Sequence, residues 1–88
     1  MSVEITHAVW MRGMATVALY GPITACGESE FDAAEDLLWQ LLDELEAKAE
    51  SLGATHVLNL LVDVTIGEKV PAWALTGCAV KLERAGWL

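Results

Sequence analysis

Basic residues are scarce in this chain, which has five Lys and Arg against thirteen Asp and Glu. The formal net charge is −8 at pH 7, so nucleic-acid phosphates and anionic lipid headgroups would be repelled. The imbalance therefore argues against a nucleic acid and against a membrane surface as partners. If the chain binds a different protein, its charge favours a basic one.

Long apolar runs are also lacking, and no stretch approaches the roughly 20 apolar residues that a membrane-spanning helix needs. The first residues, Met1 to Glu4, have neither the basic nor the apolar region of a secretory signal. We therefore expect a cytoplasmic protein. Its two cysteines, Cys26 and Cys78, are too few for a disulfide scaffold, and we expect both thiols to be reduced.

Apolar residues, in contrast, are in excess: they fill 55% of the 88 positions and include four Trp. A chain of this length has room for a single domain, residues 1–88, with one small core. Such domains bury only about 60–65% of the surface of their unfolded chain and often gain stability by oligomerising. We therefore expect part of the apolar surface to lie between copies of this chain.

The segment from Glu28 to Thr65 is the best-defined part of the pattern, because it reads as a long helix followed by an apolar strand. Apolar residues at helical spacing predict a helix from Phe31 to Leu52. Ser29 is the predicted N-cap, and Gly53 is the residue expected to end the helix. The apolar stripe consists of Ala34, Leu37, Leu38, Leu41, Leu45, Ala49 and Leu52.

Strands are predicted on both sides of this helix from alternating and β-branched residues. They cover residues 3–10, 14–20, 23–26, 55–65 and 73–83. Gly21-Pro22 interrupts the early strands and predicts a bulge, a bend or a sheet edge there. Gly77 inside the last strand predicts a close backbone approach or a bulge. The chain is therefore predicted to be an α+β domain, with one long helix packed on a mainly antiparallel sheet in the order strands-helix-strand-strand.

The cysteines and histidines are the residue types that would bind a zinc or copper ion. They are Cys26, Cys78, His7 and His56. No two of them stand two to four residues apart, as ligands of strong zinc sites do. In the strand over residues 55–65, alternation places one set of residues on the face that the helix should cover, namely His56, Leu58, Leu60, Val62 and Val64. Cys78, in contrast, should lie on the opposite face of the sheet. The alternatives are a site made from copies of one ligand at a symmetric interface, or structural roles for all four side chains.

Catalysis by a nucleophile needs a base and an orienting group beside it, and the sequence contains no such set. Ser29 and Ser51 stand at the helix ends, where capping explains them. Asp63 is explained by solvent or by a lysine partner, and the carboxylates on the helix by a solvated face. We therefore expect no enzymatic activity.

Three tryptophans are candidates for contacts between subunits. At 100° per residue, Trp39 falls on the acidic face of the helix, where it is either a surface residue or an interface anchor. Trp73 begins the last predicted strand, and Trp87 belongs to a short apolar tail. An exposed apolar tail favours docking on the protein itself or on a neighbour.

Two stretches resemble a known family. Leu45-Glu46-Ala47-Lys48-Ala49-Glu50-Ser51-Leu52-Gly53-Ala54 leads into an apolar strand that closes at Asp63, and Ala74-Leu75-Thr76-Gly77-Cys78-Ala79-Val80 follows later. They are similar to the glutamate-rich helix, Leu-Gly-Ala ending and Thr-Gly-Thr-Ala-Val strand of the YbjQ-like family, described as heavy-metal-binding domains. The resemblance covers about residues 17–83. It implies an α+β subunit assembled into a ring, commonly a pentamer, and no established activity.

The chain departs from the family pattern at three positions that bear on a metal site. His56 stands where the family usually has a small residue, Asn59 where it has glycine, and Cys78 where it has threonine. The family's longer insertion before the helix is also missing here. A site inherited from the family is therefore not expected unchanged, while His56 and Cys78 bring metal-ligating groups of this chain's own.

Overall fold

The computed structural model describes residues 3–66 and 69–85. Its elements are β1 (Glu4–Ile5), β2 (Met14–Glu28), a 3-10 turn (Phe31–Ala33), α1 (Ala34–Leu52), β3 (His56–Thr65) and β4 (Ala72–Arg84). The strands form one sheet in the order β1-β3-β4-β2. The β2–β4 and β3–β4 pairs are antiparallel, and β1–β3 is parallel. The predicted α+β fold, one long helix on a mainly antiparallel sheet, is confirmed.

The two strands predicted on either side of Gly21-Pro22 form a single long strand, β2. Its pairing with β4 runs without a break in the strand from Met14 to Glu28, but the register shifts twice, between Thr16 and Ala18 and between Leu19 and Gly21. Since β2 lies at one edge of the sheet, the proline can be accommodated where its missing N–H removes no ladder bond. The predicted irregularity is therefore present, but it bends the strand without ending it.

The strand predicted over residues 3–10 is wrong in length, because β1 contains only Glu4 and Ile5. Beyond them the chain still touches β3: the N–H of Asn59 donates to Ala8 O at 2.8 Å, and the N–H of Leu60 donates to Thr6 O at 3.0 Å. Two consecutive N–H groups of β3 facing the same neighbour break the alternation that a regular ladder requires. The parallel pairing therefore stops after two residues.

The helix ends as predicted but begins differently. Gly53 has φ 87°, and its N–H reaches the carbonyls of Ala49 and Glu50, which is how a left-handed glycine closes a helix. The predicted N-cap is wrong, since the Ser29 hydroxyl donates to Glu30 O at 3.0 Å and no side chain caps α1. A 3-10 turn leads into the helix instead. Leu52, predicted to belong to the apolar stripe, is exposed.

One face of the sheet packs under α1, which lies mainly over β2 and β4 and only lightly over β3. Helix residues Leu41, Leu45 and Ala49 are buried against the strands. Leu45, Leu75 and Val57 are the largest side chains that are completely buried. The core beneath α1 consists of Val3, Ala25, Leu41, Leu45, Ala49, Ala54, Val57, Leu75 and Ala79.

The predicted phase of β3 is wrong at its beginning. Val57 faces α1, whereas Leu58 packs on the other side of the sheet with Val80 and Leu82. We call that side the helix-free face. Asn59 then adopts φ 56°, and the register with β4 shifts between Leu58 and Leu61. This left-handed residue reverses the phase, so that Leu60 packs toward α1.

Gly77 confirms the predicted close approach in β4. A Cβ added at this position would overlap Cγ1 of Val57, a side chain at the centre of the core. The missing side chain therefore lets β3 and β4 bring Val57 under α1.

We predict that Gly77→Ala lowers the free energy of unfolding by about 1–3 kcal/mol, the usual cost of overpacking a dense core. Urea unfolding followed by tryptophan fluorescence, at one fixed protein concentration, measures the loss. Gly27→Ala is the matched control, because its Cβ would meet only the flexible end of Leu37, at 2.9 Å from Cδ1. Equal losses for the two variants would contradict the role given to Gly77.

Candidate functional site

The described residues form no cavity, and no group of three or more His, Cys, Asp or Glu side chains among them could hold a metal ion. No helix in that part of the chain is long and apolar enough to cross a membrane. A candidate site among the described residues therefore lies on the surface or along the sheet edges.

The predicted metal ligands are spread over the molecule. Cys26 is exposed near the end of β2, and Cys78 is half-buried in the middle of β4. Both thiols are free. His7 is exposed in the segment between β1 and β2. The sheet register places Cys26 of β2 opposite Ala74 and Cys78 of β4 opposite Pro22. Both cysteines therefore lie on the helix-free face, but Cys26 is level with a position of β4 four residues away from Cys78.

The prediction that α1 covers His56 is wrong. His56 pairs with Val80 and Leu58 pairs with Cys78, so His56 shares the helix-free face with Cys78. The phase reversal at Asn59 is the physical reason. The alternation of Leu60, Val62 and Val64 does not continue back to His56, because the strand changes phase at Asn59. Strand phase therefore does not separate these two residues, and their participation in a metal site stays a prediction.

His56 connects three strands through its two ring nitrogens. Its Nε2 lies 2.9 Å from Oε2 of Glu4 in β1, and its Nδ1 lies 2.8 Å from the Thr55 hydroxyl. That hydroxyl also accepts the N–H of Leu82 in β4 at 2.9 Å. Since the hydroxyl hydrogen is then free to point at Nδ1, a neutral ring carries its proton on Nε2, toward Glu4. The buried histidine thus joins β1 to the sheet.

The tryptophans differ in their surroundings. Trp73 is half-buried, meets Phe31 edge-to-face at 5.4 Å, and donates its indole N–H to Ser29 O at 2.9 Å. Trp39 is 63% exposed on the outer side of α1, and Trp10, which the sequence reasoning did not single out, is equally exposed. Trp87 lies outside the described residues. The predicted interface roles of Trp39, Trp73 and Trp87 stay predictions.

Two open sheet edges are the most distinctive surface feature. β1 pairs with β3 only at His56 and Val57. Residues 61–65 of β3 pair with β4 on one side, and on their other side no strand lies beside them among the residues that the structure describes. At the other side of the sheet, β2 is the outermost strand along its whole length. Unpaired strand edges present N–H and C=O groups that can join another strand.

The open edge of β3 is strongly apolar. Leu61 is 59% exposed, Val62 55%, Val64 41% and Ile66 71%, and Asp63 is the one charged residue among them. Short apolar, β-branched segments of this kind associate readily when an edge is free. This edge is therefore an exposed apolar surface with unpaired backbone groups.

Comparisons with known proteins support the fold. No family model matches the chain, and no curated protein matches it. One similar solved structure is a protein of unknown function of the DUF74 family from Pediococcus pentosaceus ATCC 25745, with a TM-score of 0.52 and 15% identity over 94% of this chain and 98% of that chain. DUF74 is the YbjQ-like family. At this identity the likeness shows a shared fold alone.

We predict that Thr55→Val destabilises the fold by about 1–3 kcal/mol, because the Leu82 N–H loses its acceptor and becomes an unsatisfied buried donor. Thr55→Ser, which keeps the hydroxyl, should retain most of the stability. Chemical denaturation of the three proteins measures the difference. A valine variant as stable as the serine variant would show that the hydroxyl contributes nothing.

Proposed function

We propose that the chain is the subunit of a homo-oligomeric ring of the YbjQ-like type, commonly a pentamer in that family, without catalytic activity of its own. The observation that carries the proposal is the pair of open strand edges on opposite sides of one sheet. The fold shared with a DUF74 protein supports it. The net charge of −8 disfavours nucleic acid and anionic membranes as partners.

The shape of the subunit also supports assembly. The molecule measures 53 × 21 × 19 Å, and its Cα radius of gyration is 14.6 Å, against about 12 Å for a compact domain of this length. Its accessible surface is 5971 Å², whereas a folded monomer of this mass exposes about 5000 Å². The excess, roughly 1000 Å², is comparable to the area of about 800 Å² that one partner buries in a standard interface.

The serines that could have served as nucleophiles have structural partners. The Ser29 hydroxyl donates to Glu30 O at 3.0 Å, and the Ser51 hydroxyl donates to Lys48 O at 2.8 Å. These backbone contacts support the proposal of a non-enzymatic subunit. An enzyme of this chain would need a site assembled between subunits.

Two further readings accompany the ring. A zinc or copper ion would have to be shared between subunits, and the exposed Cys26 at the open end of β2 favours that position.

Alternatively, the acidic side of α1 would meet a basic protein through charge and cation–π contacts. On that side the exposed Trp39 lies beside Glu35, Asp36 and Asp43. Native mass spectrometry reports subunit count and bound metal together. Bound metal would favour the shared metal site, and a metal-free protein would favour the acidic interaction surface.

We predict that the double variant Val62→Lys, Val64→Lys is monomeric, whereas the unmodified protein is a ring. Charged lysines on an edge strand oppose pairing with another chain. Native mass spectrometry of untagged, reduced protein gives the subunit counts. Val9→Lys is the matched control, since Val9 is also exposed but lies in the segment between β1 and β2. An unmodified protein that is monomeric would refute the proposed assembly.

We also predict that this monomeric double variant takes up no zinc or copper at one ion per chain, because no three described ligands converge within a subunit. The same spectra, recorded after adding one equivalent of either metal, give the stoichiometry. One bound ion per monomer that survives dilution would place the metal site within the chain and contradict a shared site.

A further inference from the structure

We infer that the ring closes by parallel pairing of residues 61–65 of β3 in one subunit with residues 24–28 of β2 in the next. The inference rests on the proposed ring and adds which two surfaces meet, in which direction and in which register. It follows from the topology and hydrogen-bond pattern of a single subunit.

The two edges lie at the same height on either side of β4. Residues 72–76 of β4 pair with β3 on one side and with β2 on the other. Each free edge is about five residues, or about 17 Å, long. Two rows of paired residues across the sheet show this common height. Val62 of β3, Leu75 of β4 and Ala25 of β2 form one row, and Val64, Trp73 and Gly27 form another, so we call the residues of one row level with each other. One subunit can therefore follow another without any stagger between these edges.

The direction of pairing follows from the strand order. β2 and β3 are both antiparallel to β4, so they run parallel to each other within the subunit. Rotation about a ring axis preserves strand direction, and β3 therefore meets the next β2 in parallel. A two-fold pairing of β3 with β3 would leave both β2 edges open, whereas the ring uses both edges in one repeated contact.

The backbone groups that face outward on β2 can be identified from its last ladder bond. The Ser29 N–H donates to Pro71 O at 3.1 Å, which makes this a hydrogen-bonded pair. Such pairs alternate along an antiparallel ladder, so the N–H and C=O groups of Thr24, Cys26 and Glu28 point away from β4. The Lys48 ammonium accordingly reaches Thr24 O from α1, at 2.6 Å.

The same alternation fixes the outward groups of β3. Residues 73 and 75 of β4 bond to β2, so residues 72, 74 and 76 bond to β3. The N–H and C=O groups of Val62 and Val64 then point to the open edge. When Val62 of one subunit lies opposite Ala25 of the next, the Val62 N–H would donate to Thr24 O and the Val62 carbonyl would accept the Cys26 N–H. In the same way, the Val64 N–H would donate to Cys26 O and the Val64 carbonyl would accept the Glu28 N–H. Thr24 O retains a second lone pair for Lys48.

The side chains agree with this register. Val62 and Val64 point to the sheet face that carries α1, as do Ala25 and Gly27 at their levels. Since α1 lies over β2, the exposed valines of one subunit would lie beside α1 of the next and lose their contact with water. On the helix-free face, Asp63 of one subunit is level with Cys26 of its neighbour.

The test is a disulfide that can form only across the junction. In the variant Asp63→Cys, Cys78→Ala, the introduced thiol should react with Cys26 of the adjacent subunit under oxidised glutathione. Within a chain, β4 separates the two positions by two strand spacings, about 9.5 Å, and a disulfide requires Cα atoms closer than about 7 Å. We expect a ladder of covalent oligomers on a non-reducing gel.

The control removes the native thiol, in Asp63→Cys, Cys26→Ala, Cys78→Ala, and should give no ladder. A second pair at one level, Thr65→Cys with Glu28→Cys in the Cys26→Ala, Cys78→Ala background, should also cross-link. A ring in native mass spectra without either cross-link would overturn this inference and leave the proposed ring standing. Covalent dimers in the control would also overturn the inference, because the introduced thiol would then react with its own copy. A monomeric unmodified protein would overturn both.

Discussion

The length of α1 is the constraint on which the rest of the structure depends. Its 19 residues span about 28 Å, whereas the 15 residues of β2 span about 50 Å. The helix lies over β2 and β4 and only touches β3, so one helix cannot cover the sheet in either direction. The exposure of Val62 and Val64, on the face of β3 that carries α1, is a direct result of this mismatch.

Within the covered part, the packing depends on a single small residue opposite a large one. Gly77 leaves the space that Val57 fills, and Val57 in turn packs with Leu45 and Leu75 beneath α1. The left-handed backbone of Asn59 then reverses the side-chain phase. Together these features turn His56 to the helix-free face, where it can meet Glu4 and bring β1 to the sheet.

The sequence was sufficient for α1, β3 and β4, but not for the extent of β1 and β2 or for the faces on which side chains lie. Helical spacing located α1, and Gly53 marked its end because few residues other than glycine adopt φ near 87° readily. Pairing across the sheet depends on contacts distant in sequence, which a period of two cannot show. One bulge at Asn59 was therefore enough to misplace His56, and a 3-10 turn displaced the cap from Ser29. The open edges could not be seen in the sequence at all, since they follow from strand order.

The strand edges are covered or irregular at one end of the sheet and open at the other, and this difference bears on the proposed function. At one end, β1 and the segment to Ala8 cover the beginning of β3, while two register shifts and Pro22 disrupt β2. At the other end, β3 beyond Leu61 and β2 beyond Thr24 are regular and level. Proteins usually protect strand edges that must stay unpaired. Both edges are protected at one end, and at the other end only the contact of Lys48 with Thr24 covers them, which supports the proposed pairing of this chain with its own copy.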